Sequence, residues 1–265
     1  MSLNLKSDER HFLLKLADCP ADLRAAQRLR YRVFVEELGA TGPTVDHRAR
    51  LESDAYDQYH DHLLLIDRRR DRGNLDRVVG AYRLLRSDVA LTGPGFYSAA
   101  EYDLAALEGC GRRMLELGRS CVDPAHRGGV AMMLLWNALA EYVLRHDIEL
   151  MFGVASYHGT DVGAISQSLS FLHHNHLAPP EYRARVKEAQ YQRLDLVAPD
   201  QIDLRRAKQQ TPPLIKAYLR LGGFIGDGAF IDRNFNTVDV LLMMDTARMS
   251  ERHKQAYTRR SAARA

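Results

Sequence analysis

Cysteine is scarce in this chain: Cys19, Cys110 and Cys121 are the only three in 265 residues. No two of them are spaced as Cys-x-x-Cys. An odd, sparse set argues for reduced thiols in a cytoplasmic protein and against a disulfide framework. Long apolar runs are also missing. The most apolar stretch, VAMMLLWNALAEYVL, carries Asn137 and Glu141, and it falls short of the ~20 apolar residues that cross a bilayer. The opening MSLNLKSDERHFLLKLADC is too short and too interrupted in its apolar part to read as a signal peptide. Neither sign of charge dominates, since 37 Lys and Arg face 34 Asp and Glu for a net +3. That balance does not point to nucleic acid, but it suits an acidic protein partner. Internal repeats and a domain linker are absent too. The expected location is therefore cytoplasmic, with peripheral contact at the inner membrane left open.

What is present is an ordinary globular mixture, 46% hydrophobic and 27% charged, which is enough for a sizeable core. HFLLKLA reads as a first strand. A helix follows in PADLRAAQRLRYRVFVEELGA, where Leu23, Ala26, Arg30, Val33, Phe34 and Leu38 recur at helical spacing between Pro20 and Gly39. Residues 40–61 lack periodicity and read as a long loop. HLLLID and RVVGAYRLL form a hairpin around RRRDRGNLD. FYSAAEYDLAAL leads through a loop into a short helix. MLELGRSCV and IELMFGVASY are strands, and each is followed by a helix. Residues 179–210 mix strand and helix signals. PPLIKAYLRLGG is a helix with Pro at its start and Gly past its end. FIGDGAFID and TVDVLLMMD are strands joined by RNFN. The expected fold is one α/β (α+β) domain over residues 1–248, its central sheet mixed and mostly antiparallel with flanking helices. A basic tail, 249–265, is expected to be mobile.

The stretch LELGRSCVDPAHRGGVAMMLLW places charges in a strand and glycines at a helix start. Gly128 and Gly129 allow the backbone to approach a ligand. The first helical turn, from Val130 and Ala131, points unpaired N–H groups outward at the positive end of the helix dipole. Arg127 adds a cation, so the turn reads as a phosphate cradle. Glu116 and Arg119 are three apart and would face opposite ways in a regular strand. A bulge at Gly118 would bring them together. Taken alone, Asp54 and Asp57 read as a solvated loop, and Glu116 as the partner of Arg119 or Arg83. Cys121 reads as a packed thiol. His173, His174 and His176 lack a ligand set for a metal, and no metal site is expected.

The turn HRGGVA resembles the acyl-donor loop of GNAT acyltransferases, Gln/Arg-x-x-Gly-x-Gly/Ala, with His126 in the first position. Arg30-x-x-x-Phe34, Asp54-x-x-Asp57, Arg83 and Glu116-x-x-Arg119 resemble the acyl-homoserine-lactone synthases. Ala40 stands where those synthases carry Trp. The strings FYSAAEYDL, LELGRSCV, FGVASYHGTD and PPLIKAYLRLGGFIGDGAFIDRNFNTVDVLL resemble the bacterial ornithine N-acyltransferases, hemolysin-like GNAT proteins. That likeness runs from about Arg30 to Asp245.

The resemblance implies transfer of a 3-hydroxyacyl chain from acyl carrier protein to the α-amine of ornithine, with lyso-ornithine lipid as product. No separate cofactor is implied, because phosphopantetheine arrives on the carrier. It further implies that Glu116 is the base beside Arg119, and that Arg30, Phe34, Asp54, Asp57 and Arg83 line the acceptor pocket. Arg83 and Arg119 would hold the ornithine carboxylate, and Asp54 and Asp57 the δ-ammonium. Cys121, Val122, Arg127, Gly128, Gly129, Val130 and Ala131 would hold the phosphopantetheine. RRRDR and the tail would steer an acidic carrier. Two other readings keep the same residues: a different acceptor (glycine, glutamine or homoserine), and a non-catalytic binder of acylated carrier protein.

Overall fold

The computed structural model describes residues 11–71, 73–128 and 130–248. Its elements run in chain order as β1 (Phe12–Leu16), α1 (Pro20–Arg30), β2 (Val45–Asp46), β3 (Leu51–Glu52), β4 (Asp61–Asp67), β5 (Val78–Arg86), α2 (Ser87–Thr92), β6 (Tyr102–Asp103), α3 (Ala105–Glu108), β7 (Met114–Val122), α4 (Ala131–Arg145), β8 (Leu150–His158), α5 (Ser166–His176), β9 (Arg185–Val186), α6 (Leu204–Gln210), α7 (Pro213–Arg220), β10 (Phe224–Ile225), β11 (Phe230–Asp232) and β12 (Thr237–Asp245). These residues fall into two compact units, 11–94 with 117–147, and 95–116 with 148–248. Strand β7 passes from the second unit into the first between Glu116 and Leu117.

In the first unit β1, β4 and β5 pair antiparallel, and β5 neighbours β7. The strands HLLLID and VVGAYRLL are buried almost throughout, which is why they read as continuous apolar runs rather than alternating ones. Helix α1 lays Ala25, Ala26 and Leu29 into one cluster with Leu64, Ile66, Val78, Ala81 and Cys121. Small alanines at two of those positions let the helix lie close to the sheet. On α4, Leu135 packs onto Gly80 of β5, where a Cβ would sit 2.8 Å from the leucine Cδ1 and 3.3 Å from Leu65 Cβ. Gly80 is therefore what sets the α4-to-sheet distance. Trp136 Nε1 donates to Tyr82 Oη at 3.2 Å beside it.

In the second unit the first residues of β7 pair parallel with β8 over Met114–Glu116. Strand β8 pairs antiparallel with all nine residues of β12, and β12 also takes β10 and β11 antiparallel. The sheet is thus mixed, with β7–β8 its parallel pair. Phe96 meets Phe152 edge-to-face at 4.9 Å, a geometry that rings prefer over stacking face to face. Behind β8, Tyr157 Oη, Ser168 Oγ and Thr211 Oγ1 form a chain of 2.7 Å hydrogen bonds. This chain satisfies hydroxyls that burial would otherwise leave costly.

Three expectations change. The first helix remains α-helical only to Arg30; Tyr31–Glu37 is π-helical, ending before Gly39 at φ 76°. That run, YRVFVEE, is aromatic and β-branched, and such residues lose side-chain freedom against a preceding α turn. Residues 40–61 hold a small hairpin, β2–β3, instead of an irregular loop. FIGDGAFID is two strands on β12 rather than one. Gly226 lies where a Cβ would strike Ala184 O at 2.8 Å, and Gly228 sits at φ 84°. Gly129 and the basic tail lie outside the described residues.

Gly80→Val should cost about 1–3 kcal/mol by overpacking against Leu135. A lowered urea midpoint with unchanged denaturant slope is the expected readout.

Candidate active site

The long segment after α1 turns inward rather than toward solvent, and it brings three carboxylates to three arginines within the first unit. Arg30, 1% exposed, donates through Nε to Glu52 Oε2 at 2.5 Å and through Nη1 to Asp57 Oδ1 at 2.6 Å. Its Nη2 reaches the Glu52 carbonyl at 2.7 Å and Asp57 Oδ2 at 3.0 Å. Arg83, equally buried, donates through Nη1 to both oxygens of Asp54 at 2.7 Å and to Asp57 Oδ1 at 3.1 Å. Arg119 closes the group with longer bonds, to Glu52 at 3.3 Å and Asp54 at 3.4 Å. Three positive and three negative groups cancel. The rim is Asp54 and Arg119, whose side chains keep 10% and 11% exposure.

Arg119 adopts φ 48°, in the left-handed region, directly after Gly118. Non-glycine residues rarely occupy that region, and the backbone turns there as it does at a bulge. Its contacts with Glu52 and Asp54 hold the conformation.

Burial alone would raise the Asp57 carboxyl, but the Arg30 charge and its hydrogen bonds outweigh that and hold it well below the usual range. Asp54 is likewise held low, with Arg83 overcoming burial. His60 and His62 flank this group. Their Nδ1 and Nε2 atoms meet the Tyr56 and Asp57 carbonyls at 2.7 and 2.9 Å. Burial first, then the Arg83 charge, pushes His60 down to about 3, and burial lowers His62.

At the far end of β7 the chain forms a tight turn. Asp123, 2% exposed, accepts from Ala125 N at 3.0 Å and from Arg32 Nη2 at 2.9 Å. Arg127 donates through Nε to Val122 O at 3.0 Å. Gly128 has φ 74°, and a side chain there would meet open space; backbone conformation, not crowding, requires glycine. Helix α4 then begins after Val130 without a side-chain cap. Cys121 is packed in the α1 cluster, and burial pushes its thiol up to about 12. That leaves it an inert thiol at neutral pH.

Glu116 belongs to the second unit. It is 2% exposed and accepts from Tyr97 N and Ser98 N at 2.7 Å each and from Ser98 Oγ at 2.5 Å. A carboxylate has about four acceptor positions, so the 97–98 segment fills most of them.

The sequence-based site residues thus separate into groups. Arg30, Asp54, Asp57, Arg83 and Arg119 come together. Cys121, Val122, Arg127, Gly128, Val130 and Ala131 form the turn, while Gly129 lies outside the described residues. Phe34 packs against the α1 core cluster. Several expectations are corrected. Asp54 and Asp57 are not a solvated loop, because buried arginines need them as counter-charges. Those same bonds commit Asp57 and Arg83 to each other rather than leaving them available to ligand charges. Arg127 is not a spare cation, since its Nη atoms bind Glu37 at 2.5 and 2.7 Å.

Sequence reasoning missed Glu52 and Ser98. Glu52 went unnoticed because Glu116 already stood as the third carboxylate for the three arginines. Nothing in the sequence marked Ser98. Among the described residues, neither of the two groups of close metal-capable atoms (Asp18, Cys19, Asp22; Glu101, Asp232, Asp239) includes a histidine.

Strand β7 thus leads through a turn at the left-handed Gly128 into the uncapped start of α4. The family model described as an acetyltransferase (GNAT) domain matches residues 29–137, which contain that turn. FeeM, an N-acyl amino acid synthase from uncultured soil microbes, shares the fold at a TM-score of 0.50 with 11% identity, over 89% of this chain and 91% of that one. The fold is therefore that of the GNAT-like acyltransferases.

Curated relatives narrow the class. An L-ornithine N(alpha)-acyltransferase from Rhodobacter capsulatus is 61% identical over 93% of this chain and 95% of its own. One from Agrobacterium fabrum is 42% identical over 92% and 84%. The chain belongs to the L-ornithine N(alpha)-acyltransferase family.

Arg30→Met should cost about 3–5 kcal/mol, because Glu52 and Asp57 are left buried and unpaired; equilibrium unfolding in urea measures it. Stability should also depend on pH through His60 and His62. Both have folded pKa values below the unfolded 6.5. Above that value both states are neutral, and stability is fully present. As pH falls from 6.5 toward 3 the unfolded chain takes up protons that the folded one refuses, so stability is lost. The unfolding free energy should drop between about pH 7 and pH 5, and less steeply in a His60→Gln, His62→Gln double variant.

Proposed function

We propose that this protein transfers a 3-hydroxyacyl chain from acyl carrier protein to the α-amine of L-ornithine, giving lyso-ornithine lipid. The observation that carries the donor half is the α4 N-terminus, opened by Gly128 and free of a side-chain cap. Backbone N–H groups at Val130 and Ala131 suit the phosphate and amide oxygens of phosphopantetheine, and Gly129 is assigned to the same arm by family likeness. The arm arrives on the carrier, so no separate cofactor is needed. Arg127 joins the phosphate once Glu37 yields it. The main-chain N–H groups of Cys121 and Val122 are assigned to the thioester oxygen by family likeness.

The names of the relatives support ornithine as acceptor. The rim pair supplies opposite charges for it: Arg119 for the carboxylate, in the planar geometry a guanidinium favours, and Asp54 for the δ-ammonium. The Arg119 bonds to Glu52 and Asp54 are long, 3.3 and 3.4 Å, so a ligand carboxylate competes for that guanidinium, while Asp54 stays anchored on Arg83 at 2.7 Å and turns its charge to the ammonium. Arg30, Asp57 and Arg83 keep the rim in place. Amide formation then needs the α-ammonium deprotonated. Glu116 takes that proton directly or through a water. The amine attacks the thioester carbonyl, the tetrahedral oxyanion forms and collapses, and the carrier leaves as its thiol. The enzyme works in the cytoplasm, and its lipid product makes peripheral contact with the inner membrane natural; no helix among the described residues is long and apolar enough to cross it.

The decisive assay mixes the protein with 3-hydroxyacyl carrier protein and single amino acids, then weighs the product. Ornithine alone should give an amide at the α-nitrogen. An amide on glycine, glutamine or homoserine in its place would reassign the acceptor, and carrier binding with no thiol released would make the protein a binder. Glu116→Gln should lower kcat by about 10²-fold or more, with the donor KM within about twofold; unchanged kcat removes Glu116 as the base. Asp54→Asn should act mainly on the ornithine KM.

A further inference from the structure

Nearly every buried or half-buried arginine described above is matched to a carboxylate. One face of the second unit breaks this habit. Helices α6 and α7 frame an open groove of about 470 Å³, lined by Leu204, Arg205, Lys208, Gln209 and Lys216. Ala207 turns inward from α6. Leu204 and Lys208 share its outer side, as four-residue spacing on a helix requires, and Arg205 is exposed beside them. Lys216 faces them from α7, whose Ile215 and Tyr218 are buried.

None of the three cations has an ion-pair partner among the described residues. The acid closest in sequence, Asp203, is used otherwise: its Oδ1 accepts from Arg205 N and Arg206 N at 2.9 and 3.0 Å as the cap of α6. The groove lining contains no acid. Leu204, 54% exposed, stands at its edge.

We infer that this groove is the docking surface for the acidic carrier protein that brings the acyl chain, an inference that rests on the donor reading above. Three unpaired cations around a concavity attract a negatively charged partner over several ångströms and orient it on approach. Leu204 adds the apolar contact that interface cores use and solvated charge patches lack. Among the described residues the basic stretch RRRDR is partly tied down, with Arg69 on Asp67 and Arg70 on Asp123. That makes α6 and α7 the better steering surface.

The test compares two donors in the full-length enzyme: the 3-hydroxyacyl carrier protein, and the same acyl group on N-acetylcysteamine, which has no protein to dock. Lys208→Glu, Lys216→Glu should lower kcat/KM for the carrier donor about tenfold or more. The small thioester should be used within about twofold of wild type. Raising salt should slow wild type with the carrier donor and affect the variant far less. Equal loss with both donors, or no loss with either, overturns the inference. Unchanged carrier kinetics together with lost binding to vesicles containing anionic lipid would assign the groove to the membrane instead. Wild-type enzyme that ignores the carrier donor yet uses the small thioester would refute the donor reading itself, a result separate from anything the variant does.

Discussion

Taking an arginine out of water is tolerable only when anions replace the water, and the first unit is organised around that constraint. Arg30 and Arg83, both 1% exposed, lie between Glu52, Asp54 and Asp57. The carboxylates come from the segment after α1, and the arginines from α1 and β5. The segment therefore has a fixed position because buried cations need it there. A buried ion network adds little net stability over an apolar core, yet removing one member is costly. Its value here is geometric: it fixes where Asp54 and Arg119 reach the rim, and it sustains the left-handed backbone at Arg119.

Strand β7 links this network to the rest of the chemistry. Its first residues pair with β8 and present Glu116 to the Tyr97–Ser98 segment. Its last residues lead through Asp123 into the glycine turn and α4. One nine-residue strand thus carries the proposed base, Arg119 of the ion network and the residues that lead into the Gly128 turn. Charges in a mid-sheet strand are rare without partners, and each of these has them: three donors on Glu116, two carboxylates on Arg119.

Two kinds of arginine can be told apart. Those inside, such as Arg30 and Arg83, and those tied at element ends, such as Arg112 on Asp245 and Arg127 on Glu37, are matched to carboxylates. Those on the α6–α7 face are not. A near-neutral total charge conceals this division, which is why composition gave no sign of a charged surface.

Strand and helix identities were legible wherever the apolar pattern was long, as in MLELGRSCV, IELMFGVASY and TVDVLLMMD, because burial on one or both faces demands it. The glycine turn was legible because only glycine adopts φ 74° freely, and the family followed from residue strings that periodicity alone does not explain. Tertiary structure decided the rest. It divided FIGDGAFID at Gly226, which lies against Ala184. It brought Glu52 in to complete the charge count and bound Arg127 to Glu37. These outcomes rest on contacts between residues tens of positions apart. A one-dimensional pattern records which side chains can be buried or charged, whereas which of them meet is set only when the chain closes on itself.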